Sequence, residues 1–346
     1  MIVHSREPLN AETPRERLLP AITPTGDFYV RNHGPVPPPP SSFAVAGLVD
    51  APLELTVDAL RDRFAARELI ATLQCAGNRR AGLMEVRDIP GEMPWGPGAT
   101  GTATWRGAML ADVLAAAGLR DEAAHVELIG AEPAAESGEP FGGSITRAKA
   151  LDGSVLLAWE MNGEPLTPEH GAPLRAVVPG YIGARSVKWL THVHALAAPS
   201  QNYFQAVAYR LIPADNPGGE GIALGAVAIN ADIVAPVDGT SVPAGPLEVF
   251  GYAFAGDDRL IVRVDVSVDG GRHWREAELL GYDARWVWRQ WRISLDVTPG
   301  ALEIVARAWD SAAGTQPEDP ASLWNPKGYV NNSWARARVR VASSDP

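Results

Sequence analysis

The one cysteine of this chain, Cys75, stands in the string Thr72-Leu73-Gln74-Cys75-Ala76-Gly77-Asn78-Arg79-Arg80. Two arginines within five residues favour the thiolate, the form that attacks electrophiles and binds soft metals. Gly77 allows close backbone approach to whatever the sulfur meets. The same residue also fits an inert buried thiol, the commoner fate of a lone cysteine. Being alone, Cys75 excludes an intrachain disulfide, a four-cysteine zinc site and a four-thiolate iron–sulfur cluster.

Three other places gather reactive side chains. Phe28-Tyr29-Val30-Arg31-Asn32-His33, followed by Gly34-Pro35-Val36-Pro37, sets a cation, an amide and an imidazole side by side; alone, this reads as a polar turn. His170, Arg175, Ser186 and Lys188 punctuate an apolar run through Val177, Val178, Ile182, Val187 and Leu190. Singly they read as surface polar groups beside a buried strand, but together they are side chains suited to a phosphate. Tyr209, in Val-Ala-Tyr-Arg-Leu, reads as a packing residue, and Trp105 as core.

The elements that must position these groups fall into two textures. Residues 43–200 mix short strands with helices. Met109, Leu110, Val113, Leu114 and Ala117 recur at helical spacing and stop at Gly118, a C-cap. From about residue 226 the pattern alternates with period two. Leu260, Val262, Val264, Val266 and Val268 interleave with Arg263, Asp265, Ser267 and Asp269, ending in the turn Asp269-Gly270-Gly271. Leu302, Ile304, Ala306 and Ala308 repeat the alternation, as does the tail from Arg336 to Val341. This predicts an α+β protein: a mixed α/β domain over 1–225, then an immunoglobulin-like antiparallel β-sandwich over 226–346. Pro213 to Gly225 reads as the linker. Pro35 to Pro40, proline except at Val36, predicts extended chain at the surface.

At 346 residues, with 46% hydrophobic and 21% charged content, the chain is long enough for two well-packed domains. A net charge of −11 argues against general binding to nucleic acid or to an anionic membrane, but not against a small anion met by a local cationic cluster. The first twenty residues lack an apolar signal core, and no stretch reaches the roughly 18–20 apolar residues of a membrane span. Cytoplasmic location is the direct expectation, and a leader removed before Met1 the alternative.

The nine residues around Cys75 resemble the molybdenum-ligand signature of the sulfite oxidase family. The early segment resembles the part of that family that lays Tyr29, Val30, Arg31, Asn32 and His33 along a pterin, with Arg31 also at the substrate. His170, Arg175, Ser186, Val187 and Lys188 match its pterin-phosphate region. Glu132 stands where relatives carry another acidic cofactor contact, usually Asp. Tyr209 follows Lys188 at the distance of the family's active-site tyrosine, and Trp95 resembles a pocket-wall tryptophan displaced by one inserted residue. Trp324 to Trp334 resembles the closing motif of the dimerisation domain, with Lys327 where animal sulfite-oxidising members have arginine. An ammonium still attracts an oxyanion but lacks the planar fork.

The resemblance runs from about Phe28 to Val341, without a counterpart of the animal relatives' haem domain. It implies a homodimeric enzyme holding molybdenum through molybdopterin and the Cys75 thiolate, and oxidising sulfite to sulfate. Arg31, Arg80 and Lys327 would surround the anion, and Tyr209 would donate to it. Electrons would leave to an external acceptor, such as a cytochrome, a dye-like carrier or oxygen. Two rivals stand beside this: a reductase for nitrate or an S- or N-oxide on the same centre, and a non-enzymatic β-sandwich binding module with an inert Cys75.

Overall fold

The computed structural model describes residues 1–134 and 136–343. Two five-stranded sheets build the first part. In one, Glu164–Pro165, Leu156–Met161, Thr100–Met109 and Ala66–Gln74 lie in that order, and Arg175–Val177 also pairs with Leu156–Met161. In the other, the order is Leu53–Leu55, Phe43–Gly47, Leu190–Leu196, His125–Pro133 and Pro140–Thr146. Only the contact of Leu190–Leu196 with Phe43–Gly47 is parallel there.

Helices are short and serve as packing. Leu110–Ala117 buries Leu110, Val113, Leu114 and Ala117, and Gly118 ends it at φ 69°. That is the apolar stripe read from the sequence, except that Met109 closes the preceding strand instead of opening the helix. A positive φ costs glycine nothing, so the chain leaves the helix there.

The second part is a sandwich. Asn230–Ala235, Gly245–Phe254, Arg289–Val297 and Glu278–Leu280 form one sheet. Ser241–Pro243, Ala335–Ala342, Gly300–Asp310, Ile261–Ser267 and Arg275–Glu276 form the other. Apolar residues of both inner faces, among them Ile233, Val249, Val264, Val266, Trp291, Ile304 and Val339, make one core. The core of the first part continues into the sandwich through Tyr252, Phe254, Val287, Trp288 and Tyr329, so the two parts share buried surface.

One strand departs from its expected alternation. Val264 and Val266 point inward, but Val262 is 50% exposed and Val268 44%, while Asp265 is fully buried. An extra residue between the pairs Ile261↔Asp310 and Arg263↔Trp309 bulges the strand and resets which side chains face in. Asp265 tolerates burial because it accepts from Trp309 Nε1 at 2.9 Å, Arg263 Nε at 2.5 Å and Arg307 Nε at 3.3 Å. The stretch 213–225 also differs from a plain linker: Ile222–Ala223 turns back to pair with Arg210–Leu211.

The sandwich clamps the cysteine-bearing strand. Thr72 N–H donates to the Trp286 carbonyl at 2.7 Å, and Trp288 N–H to Thr72 Oγ1 at 2.8 Å. Val330 N–H reaches the Ala76 carbonyl at 2.9 Å, and Arg79 Nη1 the Ser333 carbonyl at 2.8 Å. Both ends of the Cys75 segment are therefore fixed by residues more than 200 positions away. No helix among the described residues is long and apolar enough to cross a membrane.

Candidate functional site

Cys75 sits where the strand Ala66–Gln74 ends, its N–H bonded to the Ala99 carbonyl at 2.9 Å. Asn78 Oδ1 accepts from Ala99 N–H at 3.0 Å and fixes the turn that follows. The sulfur faces a cleft of about 50 Å³. Tyr29, Arg31, His33, Glu132, His170, Arg175, Ser186, Lys188 and Tyr209 line the same cleft. Segments more than 100 residues apart in sequence thus converge on the thiol.

The early segment is held in three ways. Val30 exchanges two backbone bonds with Ala11, at 2.8 and 2.9 Å. Asn10 Oδ1 accepts from Asn32 N–H at 2.9 Å and from Arg31 Nη1 at 3.3 Å. Glu132 accepts from the N–H groups of His33 at 2.7 Å and Gly34 at 3.2 Å. Glu132 therefore braces the loop that presents Arg31, in addition to facing the cleft.

The opposite wall is cationic. Arg175 donates to the carbonyls of His170 and Ser186, each at 3.0 Å, and lies 5.0 Å over the Trp105 ring. Lys188 Nζ bonds the Glu169 carbonyl at 2.9 Å and the Asn32 side-chain oxygen. Gly171, at φ 99°, lets Lys188 pass, because a Cβ there would lie 2.9 Å from that of Lys188. Ser186 Oγ accepts from Val178 N–H at 2.9 Å, and Val187 is core beside it. Burial pushes Arg175 down to about 10 and Lys188 down to about 7, in each case as the largest cause. Burial, then Arg175 and Lys188, take His170 down to about 3, so its imidazole is neutral. Its Nε2 lies 3.2 Å from the Thr25 carbonyl, which places the proton on that nitrogen.

Tyr209 follows the π-helical turn Phe204–Ala208, its own N–H reaching back five residues to the Phe204 carbonyl. Its ring stacks on Tyr329 at 5.5 Å, and its hydroxyl lies 2.9 Å from His33 Nε2. Burial raises its pKa, so the phenol stays protonated and can donate.

Six expected members do not line the cleft: Val30, Asn32 and Val187 are buried within the segments that do, and Arg80, Lys327 and Trp95 lie elsewhere. Arg80 spends its donors on the carbonyls of Lys327 (2.9 Å), Gly328 (3.3 Å) and Met93 (3.0 Å), with Glu92 3.4 Å away. Lys327 is 40% exposed and pairs with Glu92 at 3.1 Å. Trp95 is buried edge-on to His4, 4.8 Å between centroids. The two arginines beside Cys75 in sequence therefore point to carbonyls and carboxylates elsewhere, and the arginines that share the cleft with the thiol are Arg31 and Arg175. Phe28, Leu73, Phe141, Glu169, Gly183 and Ala184 also line the cleft without having been singled out. Glu169 adjoins the His170 motif and was within reach of a sequence reading. Phe141 arrives only through strand pairing and carries no local signal.

Buried cations facing an enclosed space beside a single thiol are the equipment of a molybdopterin-binding oxidoreductase, and known families agree. Residues 33–204 match the oxidoreductase molybdopterin binding domain, and 223–342 the Mo-co oxidoreductase dimerisation domain. The chain is 41% identical to the sulfite oxidase of Gallus gallus, covering 96% of this chain and 76% of that one. It is 38% identical to that of Arabidopsis thaliana, covering 99% and 94%. A nitrate reductase of Hordeum vulgare is 37% identical over 97% of this chain, but only 41% of its own length is covered. The solved sulfane dehydrogenase SoxCD of Paracoccus pantotrophus superimposes with a TM-score of 0.83 at 27% identity, over 98% of this chain and 88% of that one. The chain belongs to the sulfite oxidase family of molybdenum enzymes.

The residues present fit the cofactor. Among the described residues, Asn32 Nδ2 is buried without an acceptor, and the neighbouring Arg175 and Lys188 are buried cations. A phosphorylated, multiply hydrogen-bonding ligand answers both. Among the described residues, no group of three His, Cys, Asp or Glu side chains could hold a metal ion, so protein ligation would rest on the Cys75 sulfur.

The depressed Lys188 gives a pH signature for cofactor-free protein. Between about 7 and its ordinary value of 10.5, the unfolded chain binds the proton that folded Lys188 has lost. Stability from this group therefore rises as pH climbs through that window. Melting curves should show a gain between pH 7 and 9 that is absent in Lys188→Met. Equal slopes in both proteins would contradict the buried ammonium.

Proposed function

We propose that this enzyme oxidises sulfite to sulfate and passes two electrons, one at a time, to an external acceptor. The observation that carries the reading is the shared cleft in which Cys75 opens beside Arg31, His33 and Tyr209. When bound, the molybdenum centre supplies the oxygen atom and takes up the electron pair. Arg175, Lys188, His170 and Ser186 would hold the pterin phosphate, and Asn32 and the 29–33 backbone the rest of the ligand. Arg31 would draw the dianion in, and the Tyr209 hydroxyl would orient one of its oxygens by donation. An acidic protein can capture an anion in this way because the local field, not the net charge, decides.

Nitrate reduction is the second reading, favoured by the Hordeum vulgare match. Molybdenum analysis followed by steady-state assays with sulfite and with nitrate separates the two. Nitrate turnover without sulfite turnover would overturn the proposal. The acceptor we propose is a separate one-electron carrier such as a cytochrome. A two-fold homodimer through residues 226–346 is the state expected from the dimerisation-domain match, and solution mass checks it.

Lys327 has a rim role in this reading. Its ammonium is shared with Glu92 and stands away from the cleft, so it acts on the anion through its field alone. Lys327→Ala should raise KM for sulfite by less than about tenfold, roughly a surface-pair contribution, and leave kcat near its original value. A collapse of kcat would place the side chain on the reacting anion.

A further inference from the structure

An unbroken line of proton-carrying groups runs from the cleft to the surface. Tyr209, 3% exposed, meets His33 Nε2 at 2.9 Å. His33 Nδ1 lies 2.5 Å from Glu136 Oε1, and the Glu136 side chain is 42% exposed. The His33 ring packs against Phe141 at 5.2 Å and Phe204 at 4.6 Å. Arg31 Nη2 also approaches Nδ1, at 3.3 Å, but the shorter carboxylate contact requires a proton on Nδ1. Nε2 then carries the lone pair and accepts from the Tyr209 hydroxyl, whose single proton turns to the anion when one binds. Sulfite oxidation needs such a line, because SO₃²⁻ + H₂O → SO₄²⁻ + 2H⁺ + 2e⁻ leaves two protons in an enclosed site while the electrons go to the acceptor.

We propose that His33 and Glu136 form the proton outlet of the active site, with Tyr209 as its inner end. The proposal rests on the sulfite reading above. Tyr209 gives its proton to Nε2 as its oxygen takes one from the cleft. The Nδ1–H bond then breaks toward Glu136, which releases the proton to water and leaves the ring protonated on Nε2. The charged and titratable groups facing His33 are Arg31, Glu132, Glu136 and Tyr209. Burial and then Arg31 lower its pKa, while Glu136 raises it; Glu136 is itself lowered by His33, with Arg31 and Lys327 adding to the effect. The resting state is therefore a neutral ring against a carboxylate, ready to accept.

Glu136→Gln in the holoenzyme tests this. The expected result is a kcat for sulfite lowered about tenfold or more, at the low end of general acid–base effects. KM should be little changed, the solvent isotope effect larger, and the rate restored by added imidazole buffer. Nitrogen-15 NMR of the imidazoles, with His33→Gln for assignment, should show the Nδ1–H tautomer in the original protein and a lower His33 pKa in Glu136→Gln. A normal rate and isotope effect in Glu136→Gln, in a preparation whose unmutated enzyme oxidises sulfite, would overturn the outlet. An Nε2–H tautomer at rest would overturn it independently of substrate. Failure of the unmutated enzyme to oxidise sulfite would instead overturn the proposed reaction, leaving the NMR result to judge the dyad.

Discussion

Cys75→Ser should fold and melt like the original protein yet lose more than about a hundredfold in turnover per bound pterin. The fold is spared because oxygen replaces sulfur on a side chain whose backbone is already fixed by Ala99 and, through Ala76, by Val330. Cofactor retention is expected because the proposed phosphate-binding set, His170, Arg175, Ser186 and Lys188, does not include residue 75. Turnover falls because an alcohol is a poor substitute for thiolate on a soft, redox-active metal. Changes in partners of metal ligands already cost about 10–100-fold, so removal of the proposed thiolate ligand costs more. Kinetics normalised to pterin content, with a melting curve and metal analysis beside them, decide the matter. Most of the original turnover in a fully metallated Cys75→Ser protein would remove Cys75 from the metal.

What the sequence made legible is what neighbours in sequence decide. Cys75 with Gly77 and Asn78 forms one tight turn after a strand, so its string carries its own geometry. His170 to Lys188 is similarly local: a helical turn, the strand Arg175–Val177 and a second helical turn place four polar side chains on one wall. Sequence neighbours failed where long-range contacts choose the direction of a side chain. Arg79 adopts φ 64°, its carbonyl held by Asn331 at 2.7 Å, and this turn swings Arg80 toward Lys327 and Glu92 instead of the thiol. Adjacent charge in a chain is not adjacent charge in space.

The same reasoning explains the hidden parts of the site. Asn10 reaches Arg31 across 21 positions, and His33 reaches Glu136 across 103. Neither partner belongs to a motif, and each would pass for an ordinary surface amide or acid. In the sandwich, the bulge after Ile261 leaves Val264 and Val266 inside, as period two predicts, but exposes Val262. Alternation reports the face of a strand only while the ladder stays in step.

Arg175→Met should empty the site more than it slows what remains loaded. The guanidinium is buried among Trp105, His170 and Ser186, and its proposed role is to hold the phosphate. Loss of a hydrogen bond to a charged group costs about 1.5–3 kcal/mol, which is roughly a 10- to 150-fold weaker cofactor complex. The stability change in cofactor-free protein has two opposed parts. Methionine leaves the carbonyls of His170 and Ser186 without that donor, each a penalty of about 1–3 kcal/mol if no water replaces it. It also removes a cation that burial disfavours, as its lowered pKa of about 10 reports. Arg175→Lys discriminates between the effects: it keeps the charge but loses the fork that spans two carbonyls, so occupancy should fall between that of Met and the original. Metal and pterin content at fixed protein concentration measure occupancy, and turnover per molybdenum measures chemistry. Full occupancy with collapsed turnover in Arg175→Met would transfer this residue from the cofactor to the substrate, leaving Lys188 and His170 to hold the phosphate.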